Sequence, residues 1–263
     1  MKPMTRRRTC GGITLLELIV VITILVVLSA LMVGVVQLAR SRSDAAQCVN
    51  NLRALAEANI RYSTDNGGRY CFAMDKSNKV RWHGTRVSLK AQFEPTKGPL
   101  APYLGREGRV KICPAFQEAL NGGKSFEEGS GGYGYNAIYI GGTPFNKWEG
   151  ELISNIPNPL TTIMFADTAF ARRDGVQEYP FAEPWRAVSI RGHLAEYLQP
   201  SVHFRHRDHA NVAWCDGHVT AEKPSALGGP SYYGGSNAKH KIGWLGPQEE
   251  NGFWNPQRQR TRE

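Results

Sequence analysis

Six side chains that can carry acid–base or metal chemistry crowd into one stretch. His203, His206, Asp208, His209, Asp216 and His218 fall within 16 residues. Imidazole and carboxylate at this spacing support three readings. His206 and Asp216 can form a hydrogen-bonded structural clasp, with the imidazole locking the loop before a strand. Asp216, Asp208 or Asp167 can join backbone carbonyls around Ca2+, which takes about six to eight oxygens. His206, His209 or His218 can join a carboxylate around Zn2+, with or without hydrolytic activity. Further signs of catalysis are missing. The chain has no HExxH and no Ser in a nucleophile-elbow context, and the glycines of residues 129–134 lack a following Lys-Ser or Lys-Thr for a phosphate loop. The chain therefore reads as a non-enzyme with no certain cofactor, Ca2+ being the one kept open. His83, His193 and His240 read as surface residues.

The elements that must position this cluster are partly legible. Residues 210–215 and 218–221 read as the two arms of a hairpin around Asp216-Gly217, a pair suited to a two-residue type I′ turn with positive φ at both positions. Residues 162–166 read as an apolar strand entered through a Pro-Asn-Pro turn. Residues 110–113 read as a short strand stopped by Pro114, residues 132–140 as a strand, and residues 118–132 as a loop. Residues 172–175 read as a turn and residues 194–198 as a helical turn. From residue 224 the chain is rich in Gly, Pro, Asn and Gln, which predicts a loop-rich, partly disordered C-terminal tail.

Composition sets wide bounds. Of 263 residues, 41% are hydrophobic and 21% charged, enough for one domain with a real core. The net charge of +9 falls to +5 once Lys2, Arg6, Arg7 and Arg8 are set aside. No basic stripe with interleaved aromatics appears, so nucleic acid is not an expected partner. Five cysteines occur, at 10, 48, 71, 113 and 215. Cys48, Cys71, Cys113 and Cys215 allow three pairings, with buried free thiols as the alternative. None has CxxC spacing, so a zinc site on paired cysteines is not expected.

The N-terminal region carries the most specific signal. Residues 18–39 hold no charged residue across 22 positions, about 33 Å of helix against a hydrocarbon core of about 30 Å. Glu17 lies inside the apolar run, where a charge costs on the order of 2–3 kcal/mol and calls for a partner. Cleavage after Gly12 would create an α-amino group on Ile13, a cation that a neighbouring subunit's Glu17 could neutralise. Beyond the apolar run, Ala45, Val49, Leu52, Ala56, Asn59 and Ile60 keep a three-to-four spacing, with Arg53, Glu57 and Arg61 on other faces. No proline interrupts residues 13–65, and Asp65-Asn66-Gly67-Gly68 supplies a stop. Gly34 either weakens this helix or packs as a small residue in the membrane.

Three arginines, Gly11-Gly12, then Ile13-Thr14-Leu15-Leu16-Glu17-Leu18 resemble the leader and cleavage motif of type IV prepilins and type II secretion pseudopilins. A secretory leader places its cut after the apolar segment, whereas this glycine pair precedes it. Ile13 departs from the phenylalanine most common at the first mature position. The run from Cys48 to Leu55, the segments around Pro102, Cys113, Gly132 and Asp167, and His206-x9-Asp216-Gly217 resemble a bacterial pilin-like family with a C-terminal H-x9-DG motif. That resemblance implies an α+β, pilin-like fold: a long N-terminal helix, half transmembrane and half amphipathic, packed on a small antiparallel sheet. It implies a leader over 1–12, a membrane helix over 13–39, its periplasmic half over 40–66, a head over 67–223 and a tail over 224–263.

The function implied is structural: a pilin or pseudopilin processed at Gly12, methylated on Ile13 and assembled through Glu17 and helix packing. Implied partners are prepilin peptidase, other pilins and the inner membrane, which a single span would cross with the C-terminal domain periplasmic or extracellular. Some major pseudopilins hold calcium in the head, which supports the Ca2+ reading. Two rivals stand beside this one. The first is a membrane-anchored protein binding extracellular polysaccharide or another substrate through Tyr232, Tyr233, Trp244 and Trp254. The second is a tethered zinc hydrolase.

Overall fold

The computed structural model describes residues 15–120, 127–143, 148–188, 194–197 and 199–257. The proposed cleavage pair Gly12 and Ile13, with Cys10 and His193, lies outside them. Helix α1 spans Leu15–Asp65, with no proline to interrupt its backbone ladder. It closes where the sequence places its stop. Gly67 and Gly68 take φ of 64° and 78°, and the Gly68 N–H reaches back to the Ser63 carbonyl at 2.8 Å. The chain divides into two compact units, Met1–Ser43 and Asp44–Glu263. In the first, Leu15–Met32 has a mean hydropathy of 2.9 and none of it is buried, so this one helix is apolar and long enough to cross a membrane.

The second unit is an α+β head. Its strands are β1 (Val80–Arg81), β2 (Gly84–Thr85), β3 (Tyr133–Tyr135), β4 (Ile163–Asp167), β5 (Phe170–Arg172), β6 (Gly175–Gln177) and β7 (Arg186–Val188). They continue as β8 (Leu194–Tyr197), β9 (Val202–His203), β10 (Ala210–Trp214), β11 (Val219–Glu222), β12 (Ala226–Leu227) and β13 (Ile242–Trp244). An antiparallel sheet of order β11-β10-β4-β3 forms the centre, beside a second of order β12-β13-β9 and the hairpins β1/β2, β5/β6 and β7/β8. The head's share of α1 buries Cys48, Leu52, Leu55, Ala56 and Asn59 and leaves Arg53, Glu57 and Arg61 exposed, the face that the spacing predicts.

Several local expectations are corrected. Residues 110–113 join no ladder, and Pro114 opens helix α2 (Pro114–Ala119) instead of stopping a strand. Proline at a helix's first turn loses no bond, because that N–H has no intrahelical acceptor. The strand over residues 132–140 ends at Tyr135. There the Asn136 side chain takes over, donating to the Ile163 and Trp254 carbonyls and accepting the Tyr139 N–H. Residues 194–197 are strand β8 paired with β7, not a helical turn; Leu198 lies outside the described residues. Asp216-Gly217 is no type I′ turn, since only Gly217 of the pair takes positive φ, at 93°. The Gly217 N–H bonds to Trp214 O and the Trp214 N–H to His218 O, which makes a three-residue loop with glycine at the left-handed position. The loop-rich tail is built into the head. Trp254 is fully buried and donates its indole N–H to Leu245 O at 2.9 Å.

A disulfide joins Cys48 of α1 to Cys113 at the start of α2, with Cα atoms 5.1 Å apart, while Cys71 and Cys215 are buried free thiols. The bridge closes a sequence separation of 65, which chain entropy values at about 4 kcal/mol. Replacing both cysteines by serine is expected to lower stability by about that amount in a urea titration followed by tryptophan fluorescence. An unchanged midpoint would contradict this role.

Candidate functional site

Asp167, the last residue of β4, is completely buried, and it faces the Arg205 guanidinium, the Asn211 N–H and the His206 ring. Its Oδ1 accepts from Arg205 Nη2 at 2.6 Å, and its Oδ2 accepts the Asn211 backbone N–H at 2.7 Å. His206 Nε2 stands 3.3 Å from the same Oδ2. Arg205 leaves β9 and turns inward. Its guanidinium also donates to Gly132 O at 2.8 Å and Thr168 O at 3.4 Å, and Nε points at Cys113 Sγ at 3.4 Å. The Phe116 ring lies 5.0 Å beneath it. One ion pair thus joins β3, β4, the β9–β10 connection and the disulfide, all out of water. A buried pair holds only with such complete hydrogen bonding, since desolvating each ion costs several kcal/mol.

His206 is set by a tight turn. The His206 and His209 backbones exchange N–H···O bonds of 2.9 and 3.1 Å, and between them Arg207 and Asp208 both take positive φ, at 53° and 65°. Two non-glycine residues in the left-handed region store strain, which structures tolerate where a side chain must be aimed. The ring so aimed lies 3.6 Å from Cys113 Sγ. Burial lowers the imidazole's pKa; the Asp167 carboxylate pulls it back up and Arg205 pushes it down again. The ring is therefore neutral at physiological pH, with Nε2 facing both Asp167 Oδ2 and Cys113 Sγ.

Polar side chains also join α1 to the central sheet. Asn51 Nδ2 donates to Tyr133 OH at 3.1 Å, and Asn59 Nδ2 to Tyr135 OH at 3.0 Å. Asn59 Oδ1 accepts the Cys71 N–H at 2.8 Å, and Tyr135 OH donates to Cys71 O at 2.8 Å. Glu178, buried, accepts the N–H groups of Gly129, Ser130 and Gly131 and the Ser130 hydroxyl on one oxygen. The glycine-rich run that lacks a phosphate-loop lysine is thus an anion cradle filled by the chain's own carboxylate.

The structure disperses the six-residue cluster. His206 pairs with Asp167 and not with Asp216, so the expected His206–Asp216 clasp is replaced by a His206–Asp167 one. The cause is the strained 206–209 turn, which points His206 at the end of β4. Asp216 instead pairs with His218 at 2.6 Å, and Gly217 shapes that loop beside Ile60 of α1. Asp208 is exposed and pairs with Lys241 at 2.6 Å. Asp167, Asp208 and Asp216 each have a different cationic or imidazole partner. His203 is buried against Phe116 and Arg205. His209 caps its own turn through Arg207 O. Glu17 is an exposed residue of α1's first turn.

His83 is not a surface residue. It is buried between Trp82 and Phe93, and neither ring nitrogen has a hydrogen-bond partner among the described residues. His240 is half-buried. Sequence reasoning missed Arg205 and Asn51 altogether. Arg205 sits inside the conspicuous His-Phe-Arg-His run, and an Asn on the apolar stripe of a helix is itself a signal of a buried polar contact.

Comparison with protein-family models, curated proteins and solved structures finds no match for this chain. The geometry itself describes a clasp, in which Asp167 and Arg205 direct their acceptors and donors at groups of the fold.

Asp167→Asn leaves the Arg205 cation uncompensated and is expected to destabilise the head by about 3–5 kcal/mol in denaturant titration; a loss under about 1 kcal/mol would contradict the clasp. A pH dependence follows from the buried imidazoles. Burial holds His83 and His203 well below, and His206 below, the ordinary value of 6.5. Under about pH 6.5 the unfolded chain takes up protons that the folded chain refuses, so stability is full above that range and falls as pH drops. Glu178 and Glu183, whose carboxyls burial raises, act in the opposite sense at lower pH. The thermal midpoint is expected to fall between about pH 7.5 and about pH 5.5, and His83→Leu to reduce that fall. An equal fall in the variant would contradict the assignment.

Proposed function

We propose that this chain is a membrane-anchored structural subunit of pilin or pseudopilin type, processed after Gly12, methylated on Ile13 and assembled through its N-terminal helix. The observation that carries the reading is the division of labour along α1. From Leu15 to Met32 the helix is apolar and wholly unburied, while from Cys48 onward it is the core of the head. Unburied helix surface of that kind needs either lipid or the same segment of other subunits. The Gly12–Glu17 motif adds a specific processing site, and Glu17 sets the register between neighbours. The inner membrane, prepilin peptidase and sister subunits are the partners, with the head on the periplasmic or extracellular side.

The head supports a second reading at one place. Tyr232 and Tyr233 are 78% and 50% exposed on a turn tied to β5 through the Arg172–Gly234 bridge. They are the aromatics on which a glycan could stack, since Trp254 is buried and Trp244 stacks on Trp185 at 4.8 Å.

Protein extracted from its native membrane decides the main reading by intact mass and N-terminal sequencing. A chain starting at Ile13 with one added methyl is expected. A chain starting at Met1, or cut beyond the apolar run, would overturn the proposal.

A further inference from the structure

We propose that the reduced chain holds one divalent transition-metal ion of the zinc class on Cys48, Cys113 and His206, at the place where the oxidised chain holds its disulfide. Cys48 Sγ, Cys113 Sγ and His206 Nε2 all lie within 4.8 Å of one another. Tetrahedral Zn2+, with bonds of about 2.3 Å to sulfur and about 2.1 Å to nitrogen, has a sulfur–nitrogen edge of about 3.6 Å. The observed separation of Cys113 Sγ and His206 Nε2 is 3.6 Å. This edge is already set; by the same geometry the two sulfurs must part to about 3.8 Å and Cys48 Sγ must stand about 3.6 Å from the imidazole nitrogen.

The surroundings favour the ion in three ways. Both cysteines are fully buried while the His206 side chain keeps 10% exposure, so the sulfurs are shielded and the set reaches solvent only beside His206. Arg205 Nε already points at Cys113 Sγ from 3.4 Å, a hydrogen bond of the kind that orients and stabilises metal-bound thiolate. Two thiolates balance the ion's charge, and the Arg205–Asp167 pair balances itself. When His206 gives its nitrogen to the metal, Asp167 keeps Arg205 Nη2 and the Asn211 N–H. The strained Arg207–Asp208 turn, held by Lys241, fixes where His206 points.

The exchange balances. A dithiol reductant passes two electrons and two protons to the Cys48–Cys113 bond and leaves as its own disulfide. The two new thiols then release two protons as they take up the metal ion. Ligand spacing in the sequence hides this site, because the two cysteines sit on different elements and no CxxC announces them.

The test uses the full chain in detergent micelles, reduced with dithiothreitol, freed of reductant without air and titrated with Co2+ as the probe. One Co2+ per chain is expected, with thiolate-to-cobalt charge-transfer absorption and a raised thermal midpoint. The oxidised chain should show neither. His206→Ala should weaken Co2+ binding ~10-fold or more, and Cys71→Ser with Cys215→Ser should leave it unchanged. X-ray absorption at the cobalt edge of the wild-type complex, which needs no variant to fold, should show two sulfur and at least one imidazole neighbour. Absence of the charge-transfer band after reduction, loss of it in the Cys71/Cys215 variant, or a sulfur count other than two would overturn the proposal.

Discussion

A single buried carboxylate sets the terms for the rest of the head. Asp167 could not stand at the end of a central strand unless other elements brought it donors, and the β9–β10 connection and β10 do. Arg205 supplies a full charge and Asn211 a backbone N–H from the neighbouring strand, with the neutral His206 imidazole 3.3 Å away. Each donor is useful only in one arrangement of β3, β4, β9 and β10. The pair is therefore less a source of stability than a condition on it. Removing one partner strands the other in low dielectric, which is far costlier than never having had the pair.

The same logic extends to α1. Its head-facing stripe carries asparagines among its apolar residues, and each meets a tyrosine hydroxyl of β3. Apolar packing alone would let such a helix slide by a turn along the sheet. Asn51 and Asn59, two turns apart and each tied to its own tyrosine, forbid the slide, and the Cys48–Cys113 bond adds a covalent stop. Polar pairs in a core act here as register marks. For a subunit proposed to assemble through the other part of this helix, a fixed register in the head is a functional requirement.

Much of this is legible in the sequence itself. The 3.6-residue period and the lack of proline define α1, its glycines define its end, and the apolar runs define β4 and β10. The site was legible only as a concentration of residue types. The sequence singles out His206, but its partner Asp167 belongs to β4, which meets β10 only in three dimensions. The turn that aims His206 uses Arg207 and Asp208 at positive φ, which no turn propensity announces. The Asp-Gly pair that does announce such a turn makes a different loop. Cysteine pairing likewise cannot be read from four positions with three connectivities.

The central claim, that the Arg205–Asp167 pair is a mutual condition and not two separate contributions, is tested most directly by a double-mutant cycle. Unfolding free energies would be measured for wild type, Arg205→Met, Asp167→Asn and the combination, in the full chain in detergent. Each single change should cost more than its share, and the double variant should lose less than the two losses added, by about 2 kcal/mol. Losses that simply add would mean the two groups act independently, and the structural account built on Asp167 would fail.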